Sequence, residues 1–383
     1  MTATAGEGLD IAQRKQDHID LCATGDVGFR AKTTLLDEVE LVHDAVPELS
    51  LDQVDMGLEL FGKRLSAPIF IAAMTGGTDK ARAINLELAR IADEEGYGFG
   101  LGSQRAMLDP ARRAAPSYDV RGVAPRALVL GNIGGVQARS LSDEVIRGLV
   151  DQVSADALCV HLNPAMEIVQ PGGDRDFSGV VDRIAELGGS LGVPVVAKET
   201  GCGIGPVAAA KLARVGVRHV DVSGAGGTSW VAVETLRATG GARDLGAALR
   251  DWGVPTAASV MCTARAGFET IIATGGVATG LDVARAIALG ATAAGIARPV
   301  LQALLEGGPE GARAQLARVK RELAAVMLLV GAADLRALRR APKLLGPRLD
   351  AYRRLWAESS LLEGTGAARP LQRTSTRLGR RRR

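Results

Sequence analysis

The chain has 383 residues, of which 47% are hydrophobic and 3% aromatic, so its core must be built mainly from Ala, Val, Leu and Ile, in one large domain or two ordinary ones. The net charge of +3 depends on six arginines among residues 371–383; without them the rest of the chain stands at −3 (3 − 6). This tail has no interleaved aromatic residues, so the composition disfavours a nucleic-acid partner, and deleting the tail would test that point.

Cysteine and apolar patterns indicate the compartment. The four cysteines form no C-x-x-C pair, which is typical of reduced thiols, and no apolar run reaches the roughly 18 residues of a membrane span. We therefore expect a cytoplasmic protein with no membrane partner. Residues 1–65 are mixed in character and are predicted to form an N-terminal arm and extension. Residues 346–383 are predicted to be a C-terminal extension that ends in a disordered arginine-rich tail.

A regular alternation of short apolar runs and helical segments begins after residue 65. In residues 78–96, Ile84, Leu88 and Ile91 share one face of a predicted helix, which Gly96 ends. Nearly continuous apolar strands separated by helices predict a parallel sheet that is covered on its outer face. The predicted strands, in chain order, are 68–77, 97–105, 127–135, 157–163, 194–203, 219–230, 270–276 and 293–300.

Eight such units match the length of a (β/α)8 TIM barrel, and we predict this α/β fold for residues 66–345. The alternative is an open doubly wound sheet. Nearly every predicted strand ends in residues capable of chemistry, and the strand ends of a barrel meet at one rim, where active sites form. In an open sheet only the crevice at the switch point would collect them. The pattern therefore favours the barrel.

Glycine-rich turns follow the last three predicted strands. In barrels of this kind, the loops after the seventh and eighth strands often bind a phosphate through backbone N–H groups. The alternative is ordinary turn glycine. No complete G-x-G-x-x-G occurs, which argues against a dinucleotide site and favours a mononucleotide. The turns contain Ser223, Gly224, Thr228, Gly275, Gly276, Ala297 and Arg298.

Lys198 ends the fifth predicted strand and is a candidate to point into the barrel mouth. A cation at this position could lie against the electron-rich edge of a flavin and tune it. The alternative is a lysine whose ammonium reaches solvent at the rim.

Eight motifs in one order give the chain a resemblance to a known family. It resembles the type 2 isopentenyl-diphosphate isomerases, which are TIM barrels that use reduced FMN and Mg²⁺ to interconvert isopentenyl and dimethylallyl diphosphate by proton transfer near flavin N5. The motifs are RKQDHI (14–19), MTGG (74–77), GSQR (102–105), GNIG (131–134), HLNPAMEIVQPGGDRDF (161–177), PVVAKETGCG (194–203), DVSGAGGTSW (221–230) and ATGG (273–276).

The resemblance implies a role for each motif. It implies NADPH as the reductant, a homo-oligomer of four or more subunits, Glu167 as the Mg²⁺ ligand, and Met166, His161 and Asn163 next to the reacting carbons. It implies that the substrate diphosphate contacts Arg14, Lys15, Ser103, Gln104 and Arg105, with Met166 against the substrate. Contacts with FMN are implied for Ala73, Met74, Thr75, Gly76, Ser103, Asn132, Lys198, Ser223, Thr228, Gly275, Gly276, Ala297 and Arg298.

The chain departs from the family pattern at two positions. Met166 stands where the family usually has glutamine, and Gly172 stands in place of the glutamate of P-E-G-D. A thioether is only a weak hydrogen-bond acceptor and cannot relay a proton. The flavin could perform both proton steps alone, the sulfur could tolerate a neighbouring cation, or the substrate or activity could have changed.

Three further expectations follow from the residues. Arg14 and Lys15 precede any predicted regular element and are expected on a mobile arm that closes over the substrate. An FMN-dependent 2-hydroxy-acid oxidase is a rival with the same barrel, but it needs a histidine base late in the chain, and the last histidine is His219. A non-catalytic flavin-binding protein would have no need of Arg14, Lys15, Arg105 and Glu167 together.

Overall fold

The computed structural model describes residues 5–109 and 114–358. The arginine-rich tail lies outside them, and its disorder stays a prediction. The first element is helix α1 (Ala5–Thr24), followed by strand β1 (Val39–Leu41) and a hairpin of β2 (Leu58–Leu60) and β3 (Lys63–Leu65). The expectation that Arg14 and Lys15 precede any regular element is therefore wrong, because both lie on α1.

Eight parallel strands then close into a barrel in the order β10-β11-β4-β5-β6-β7-β8-β9, which confirms the predicted (β/α)8 fold. Each strand lies within one of the eight predicted runs, but the strands are shorter than the runs, whose polar ends form loops. The strands are β4 (Ile69–Ile71), β5 (Gly98–Gly100), β6 (Leu128–Gly134), β7 (Ala157–Leu162), β8 (Val195–Glu199), β9 (His219–Asp221), β10 (Thr270–Ala273) and β11 (Ala293–Ile296).

Helices surround the barrel, and local sequence fixes their ends. Helix α2 begins after Thr78, whose side chain accepts a hydrogen bond from Ala81 N, and it ends at Gly96 in the left-handed conformation (φ 71°), as predicted. Within the described residues, β5 is followed only by short 3₁₀ turns at Gln104–Leu108 and Ala115–Ser117.

The helices after α1 are α2 (Asp79–Glu95), α3 (Gly135–Ser140), α4 (Asp143–Gln152), α5 (Pro164–Val169), α6 (Val180–Ser190), α7 (Pro206–Arg214), α8 (Trp230–Arg237), α9 (Gly240–Leu249), α10 (Thr256–Ala266), α11 (Gly280–Leu289), α12 (Arg298–Leu329), α13 (Leu335–Arg340) and α14 (Pro347–Glu358). None of these described helices is long and apolar enough to cross a membrane.

Two apolar layers hold the barrel together. Alternate residues of the strands point inward and outward, so Leu128 and Leu130 belong to an inner cluster, whereas Val129 packs against the helices. The hairpin adds Leu60 and Leu65 to the inner cluster and so closes the end of the barrel at which the strands begin. The opposite end, where the strands finish, is left for a ligand.

The two chain extensions meet on the outside of the barrel. Strand β1 pairs antiparallel with β12 (Lys343–Leu345), with Val39 opposite Leu345. Helix α14 packs against α10, and Trp356 is buried. The C-terminal segment is therefore part of the folded body at least to α14.

Candidate active site

A cavity of about 530 Å³ opens at the carboxyl ends of the barrel strands, the rim where barrel enzymes carry their active sites. All but two of the residues predicted for the site line it. Those that do are Arg14, Lys15, Ala73, Met74, Thr75, Ser103, Arg105, Asn132, His161, Asn163, Met166, Glu167, Lys198, Ser223, Thr228, Gly275, Gly276, Ala297 and Arg298. The two exceptions are Gly76 and Gln104.

Gly76 packs behind the cavity wall. A Cβ atom at this position would lie 2.0 Å from Cε1 of Tyr118, so only glycine lets the loop pass the buried tyrosine ring. Tyr118 in turn donates to the carbonyl of Ser103 at 2.6 Å and accepts from the ammonium of Lys15 at 2.9 Å. Gly76 therefore supports the placement of Lys15 without lining the cavity.

Gln104 lies beneath the site, with none of its surface exposed. Its Nε2 donates to the carbonyl of Leu149 at 2.8 Å, and its Oε1 accepts from Asn132 N at 2.9 Å. These bonds place the end of β6, from which Asn132 faces the cavity. The predicted contact of Gln104 with substrate is not what the geometry offers, because both ends of its amide are engaged inside the protein.

His161 is held as a neutral imidazole. Its Nδ1 donates to Oδ1 of Asn132 at 2.8 Å, which leaves Nε2 as the unprotonated nitrogen. Burial lowers the pKa of His161 to about 4, and the positive charges of Lys198, Lys15 and Arg105 act in the same direction. At neutral pH this side chain can accept a hydrogen bond at Nε2, but it cannot act there as a proton donor.

Lys198 is a buried cation that points into the barrel mouth as predicted, but it is paired. Its ammonium donates to Oδ2 of Asp221 at 2.7 Å and to Oγ1 of Thr274 at 3.3 Å. Thr274 also donates to the other oxygen of Asp221. Lys198 and Asp221 stand opposite each other on β8 and β9. An ammonium has three donors, so one direction remains for a ligand.

Glu167 is a buried carboxylate at the cavity wall, 6% exposed. Asn163 Nδ2 donates to its Oε1 at 2.8 Å, and Asp174 N and Gln170 Nε2 donate to its Oε2 at 2.9 and 3.3 Å. In the described parts of the chain, no group of three or more His, Cys, Asp or Glu side chains is placed to hold a metal ion. The donor set suits an ion such as Mg²⁺, which keeps several waters and needs one or two carboxylates.

Three cations converge on the side of the cavity near Glu167. Lys15 donates to the carbonyl of Ser103 at 3.0 Å, and Arg14 and Arg105 line the same space. Burial lowers the pKa of Arg14, and the charge of Arg105 lowers it further, whereas Glu234 and Glu167 raise it. Two mutually repelling guanidinium groups held this close make an environment that an anion would stabilise.

A network that the sequence prediction missed attaches helix α1 to the barrel. His18 Nε2 lies 2.7 Å from Oε1 of Glu234, which is fully buried on α8, and Arg237 bridges Glu234 at 2.7 Å and Asp17 at 3.1 Å. The ring of His18 stacks edge-on against Trp230 at 5.1 Å. These contacts hold one face of α1 against the cavity.

The helical spacing of α1 was the signal available in the sequence. The cavity-lining residues of α1 fall at positions i, i+1, i+4, i+5 and i+8, which is a single face of a helix. Those residues are Arg14, Lys15, His18, Ile19 and Cys22.

Backbone forms the opposite end of the cavity. A Cβ atom on Gly227 would lie 2.3 Å from Gly276 N, and one on Gly226 would lie 2.1 Å from Thr34 N. We call the turns at Gly226–Gly227 and Gly275–Gly276 the glycine cradle. Residues 25–34, the strap, cross it, and Ser229 N donates to the carbonyl of Val27 at 2.7 Å. The cradle, the start of helix α12 and the ammonium of Lys198 together fit a phosphorylated mononucleotide such as FMN.

Comparison with a family model places the chain among known sequences. The model for FMN-dependent dehydrogenases matches residues 10–116 and 163–344. An isopentenyl-diphosphate delta-isomerase of Methanococcoides burtonii is 42% identical over 341 residues, covering 88% of this chain and 93% of its own. That of Methanopyrus kandleri is 45% identical over 352 residues, covering 91% and 94%.

Solved structures with the same fold are far more distant in sequence. A lactate oxidase of Pediococcus acidilactici has a TM-score of 0.63 at 16% identity and covers 89% of this chain and 94% of its own. A mandelate oxidase variant with a monooxide FMN adduct has a TM-score of 0.59 at 18% identity, with 88% and 100% covered. At these identities the likeness shows the barrel alone.

Proposed function

The chain belongs to the type 2 isopentenyl-diphosphate delta-isomerases, within the FMN-dependent dehydrogenase family, and on that premise we propose that it interconverts isopentenyl and dimethylallyl diphosphate with reduced FMN and Mg²⁺. The single observation that carries the proposal is that Arg14, Lys15, Arg105 and Glu167 line the same cavity as Lys198 and the glycine cradle. One end suits a mononucleotide and the other a diphosphate with its metal.

FMN would lie with its phosphate at the cradle and at the start of α12. The residues that would hold it are Gly227, Gly276 and Ala297 at the phosphate end, with Lys198 toward the ring. When bound in its reduced form, FMN supplies an electron-rich ring able to donate and accept a proton. The buried contact with Asp221 keeps the ammonium of Lys198 aimed at one place, so the protein orients the cofactor without rearrangement.

The diphosphate would be bound by the three cations and by Mg²⁺ on Glu167. Arg14 and Arg105 offer planar forks for phosphate oxygens, and Lys15 offers a point charge. Glu167 supplies the carboxylate ligand, and its hydrogen bonds from Asn163, Gln170 and Asp174 fix its direction. Anchoring the charged end in this way would leave the branched hydrocarbon chain to lie next to Met166 and His161.

The chain's own residues would orient the substrate and keep the reacting carbons dry. The reaction moves a proton between two carbons of an alkene, and the positive charge that develops is short-lived in water. Helix α1 covers the cavity, and Ile19 and Met166 supply apolar surface in its wall. Neutral His161 offers an unprotonated Nε2 that would accept a hydrogen bond without adding charge next to a developing cation.

A second candidate function rests on Met166. Asn163 Nδ2 lies 3.9 Å from the Met166 sulfur, so no strong hydrogen bond links this side chain to the site. A relative that binds FMN and a different prenyl diphosphate, or that has lost isomerase activity, would have the same cavity. We rank it second because relatives named isopentenyl-diphosphate delta-isomerase are 42% and 45% identical to this chain over about nine-tenths of its length.

The 2-hydroxy-acid oxidase reading has less support. His219 lies at the start of β9, where Phe61 of the hairpin stacks against it at 5.0 Å and Thr270 lies 3.0 Å from its Nδ1. This is the closed end of the barrel, away from the cavity. The histidines that line the cavity in the described part of the chain are His18 and His161.

The remaining parts of the proposal concern partners. We propose NADPH as the source of electrons for FMN, a homo-oligomer of at least four subunits, and a cytoplasmic location, in keeping with the family that the chain resembles. These parts rest on the resemblance rather than on a contact within the cavity.

One experiment tests the proposal. The purified protein should be yellow, and when its flavin is reduced without oxygen in the presence of Mg²⁺ it should convert isopentenyl diphosphate to dimethylallyl diphosphate. The Glu167→Gln variant should keep the flavin and lose most of the activity. A colourless protein with no affinity for FMN would refute the proposal, and a yellow protein without turnover would favour the second candidate.

A further inference from the structure

The side chain of Arg298 points away from the cradle and toward helix α1. Its Nε donates to the carbonyl of Cys22 and its Nη2 donates to the carbonyl of Gly25, both at 2.9 Å. One turn further along α12, Gln302 Nε2 donates to the carbonyl of Ala23, also at 2.9 Å. These carbonyls lie at the C-terminal end of α1, where a helix has no N–H partners of its own for its last four C=O groups.

We propose that Arg298 and Gln302 form a clamp that fixes helix α1 over the substrate end of the cavity, which makes Arg298 a positioning residue. The resemblance implied that Arg298 contacts FMN, but its guanidinium is engaged by α1. The proposal deepens the function proposed above and rests on it where it speaks of the diphosphate. A cation at the C-terminal end of a helix also interacts favourably with the helix dipole.

The geometry of α1 explains why this contact matters for substrate binding. Arg14 and Cys22 lie on the same face eight residues apart, which is about 12 Å along a helix. Because α1 is also held at His18, about 6 Å along the helix from each of these residues, a shift of about 1 Å at the Cys22 end would tilt the helix and move Arg14 by a similar distance. A displacement of that size is enough to break the short, directional hydrogen bonds between a guanidinium and a phosphate oxygen.

Arg298 also stands at the junction of the two halves of the cavity. It is the first residue of α12, directly after Ala297, so its backbone belongs to the end that suits a phosphate while its side chain holds α1. The other attachment of α1, through His18 and Glu234, lies closer to the middle of the helix. Lys15, Asp17 and Asp20 also bond to the barrel side of the molecule, so Arg298 and Gln302 form the attachment of α1 that lies next to the cofactor end.

The test compares three variants of the FMN-loaded protein. Arg298→Gln removes the guanidinium and its charge, and Arg298→Lys keeps the charge without the planar group that makes two hydrogen bonds. Gln302→Leu removes the hydrogen bond to the carbonyl of Ala23. The matched control is Arg339→Gln, because Arg339 also donates to a backbone carbonyl, that of Ala291 at 3.0 Å, at a site remote from α1. The measurements are amide hydrogen exchange of residues 19–25, affinity for inorganic pyrophosphate with Mg²⁺, and affinity for FMN.

For Arg298→Gln we expect amide protection in residues 19–25 to fall at least 10-fold and pyrophosphate to bind roughly 10-fold more weakly, because its charge-assisted contact with Arg14 would be misdirected, with FMN affinity changed less than about 3-fold. Arg298→Lys should recover only part of each loss, and Gln302→Leu should show a smaller loss of the same kind. The control should show neither effect.

Two outcomes would overturn the proposal. If Arg298→Gln released FMN while α1 kept its protection, the side chain would be a cofactor ligand. If protection of α1 were unchanged in both Arg298→Gln and Gln302→Leu, the clamp would have no function. Should the wild-type protein fail to bind pyrophosphate, the diphosphate function would be refuted, and hydrogen exchange would still decide on the clamp. If Arg298→Gln did not fold, Gln302→Leu would carry the same test.

Discussion

Met166 lies beside the carboxylate that we assign to Mg²⁺, on the short helix α5, and it lines the cavity. The family that the chain resembles usually has an amide at this position. An amide both donates and accepts hydrogen bonds, whereas a thioether accepts only weakly. Asn163 Nδ2 lies 3.9 Å from the sulfur, which is a weak contact. A hydrogen bond that an amide at this position could make to the substrate or to a water must here come from another side chain or be missing.

We expect Met166→Gln to raise the turnover of isopentenyl diphosphate, because it restores a hydrogen-bonding group beside the reacting carbons. The measurement is the rate of dimethylallyl diphosphate formation under anaerobic conditions. Met166→Leu is the matched control, since it keeps the apolar volume but removes the sulfur, and its rate should resemble that of the natural protein. An unchanged or lower rate in Met166→Gln would show that the site is adapted to the thioether.

His161 makes folding stability depend on pH. Its pKa is about 4 in the folded protein, against an ordinary value of 6.5. A group with a lowered pKa takes up its proton first in the unfolded chain, so its stabilising contribution is complete above about pH 6.5 and declines as the pH falls toward 4. The difference corresponds to about 3 kcal/mol by pH 4.

The measurement is urea unfolding at pH 7 and pH 4 of the natural protein and of His161→Gln, which removes the titrating group. On acidification the natural protein should lose about 3 kcal/mol more unfolding free energy than the variant does. Burial is the main cause of the lowered pKa of His161, and the positive charges of Lys198, Lys15 and Arg105 act in the same direction. Equal losses in both proteins would mean that His161 is charged, or solvated, in the folded state.

At the scale of single residues, sequence could predict what lies at a strand end but not which residues meet. Lys198 was predicted to face the cavity because it ends an apolar run. Its partner Asp221 lies 23 positions away, and the two meet because β8 and β9 pair in one register. Gln104 is the reverse case: it lies in a motif of polar residues, yet the 3₁₀ turn that begins there carries its side chain inward.

At the scale of elements, helix α1 shows why a polar segment can be misread. Its cavity face carries Arg14, Lys15 and His18, so hydrophobic periodicity, the usual signal of a helix, is weak. The helix is stabilised from outside by Arg237, Glu234 and Arg298. These partners lie more than 200 residues away in the sequence, so the sequence of α1 by itself does not show them. The barrel strands needed no such help, because their burial on both faces gives a continuous apolar run.

Asp251 helps to hold the strap, residues 25–34, over the glycine cradle. Its Oδ1 accepts from the backbone N–H groups of Arg30, Ala31 and Lys32 at 2.8, 3.2 and 3.4 Å. Arg250 adds bonds to the carbonyls of Asp26 and Gly28. The strap packs directly against the cradle, with Thr34 next to Gly226 and Gly276, so loosening the strap would loosen the backbone that would hold a ligand phosphate.

We expect Asp251→Ala to speed the dissociation of FMN by about tenfold, because three N–H donors of the strap lose their shared acceptor. The effect is modest because these bonds lie near the surface, where water replaces the lost acceptor. Release is followed by the recovery of free-flavin fluorescence after dilution. Arg30→Ala is the control, since its side chain is two-thirds exposed and its backbone N–H still reaches Asp251. Identical dissociation rates in the two variants would show that the strap does not retain the cofactor.

At the scale of the whole molecule, the fold brings distant segments to one cavity. Loops from the strands β4 to β11 contribute to its wall, as do α1 at the start of the chain and α12 near its end. The barrel could be predicted from the rhythm of eight apolar runs, because closure places all their carboxyl ends on one rim. The position of α1 could not, since no local pattern says on which part of the rim a preceding helix will rest.

This convergence predicts that FMN stabilises the whole protein and not just one loop. A ligand that binds only the folded state adds RT ln(1 + [L]/Kd), which is about 2.7 kcal/mol at a free concentration 100 times Kd. The stabilisation should appear as a rise in the midpoint of thermal unfolding with FMN concentration. Riboflavin, which has the same ring system but no phosphate, should stabilise much less, because it cannot use the cradle and the start of α12. If riboflavin matched FMN at equal concentration, the phosphate would contribute nothing to binding, and the assignment of Gly227, Gly276 and Ala297 to the phosphate end would be wrong.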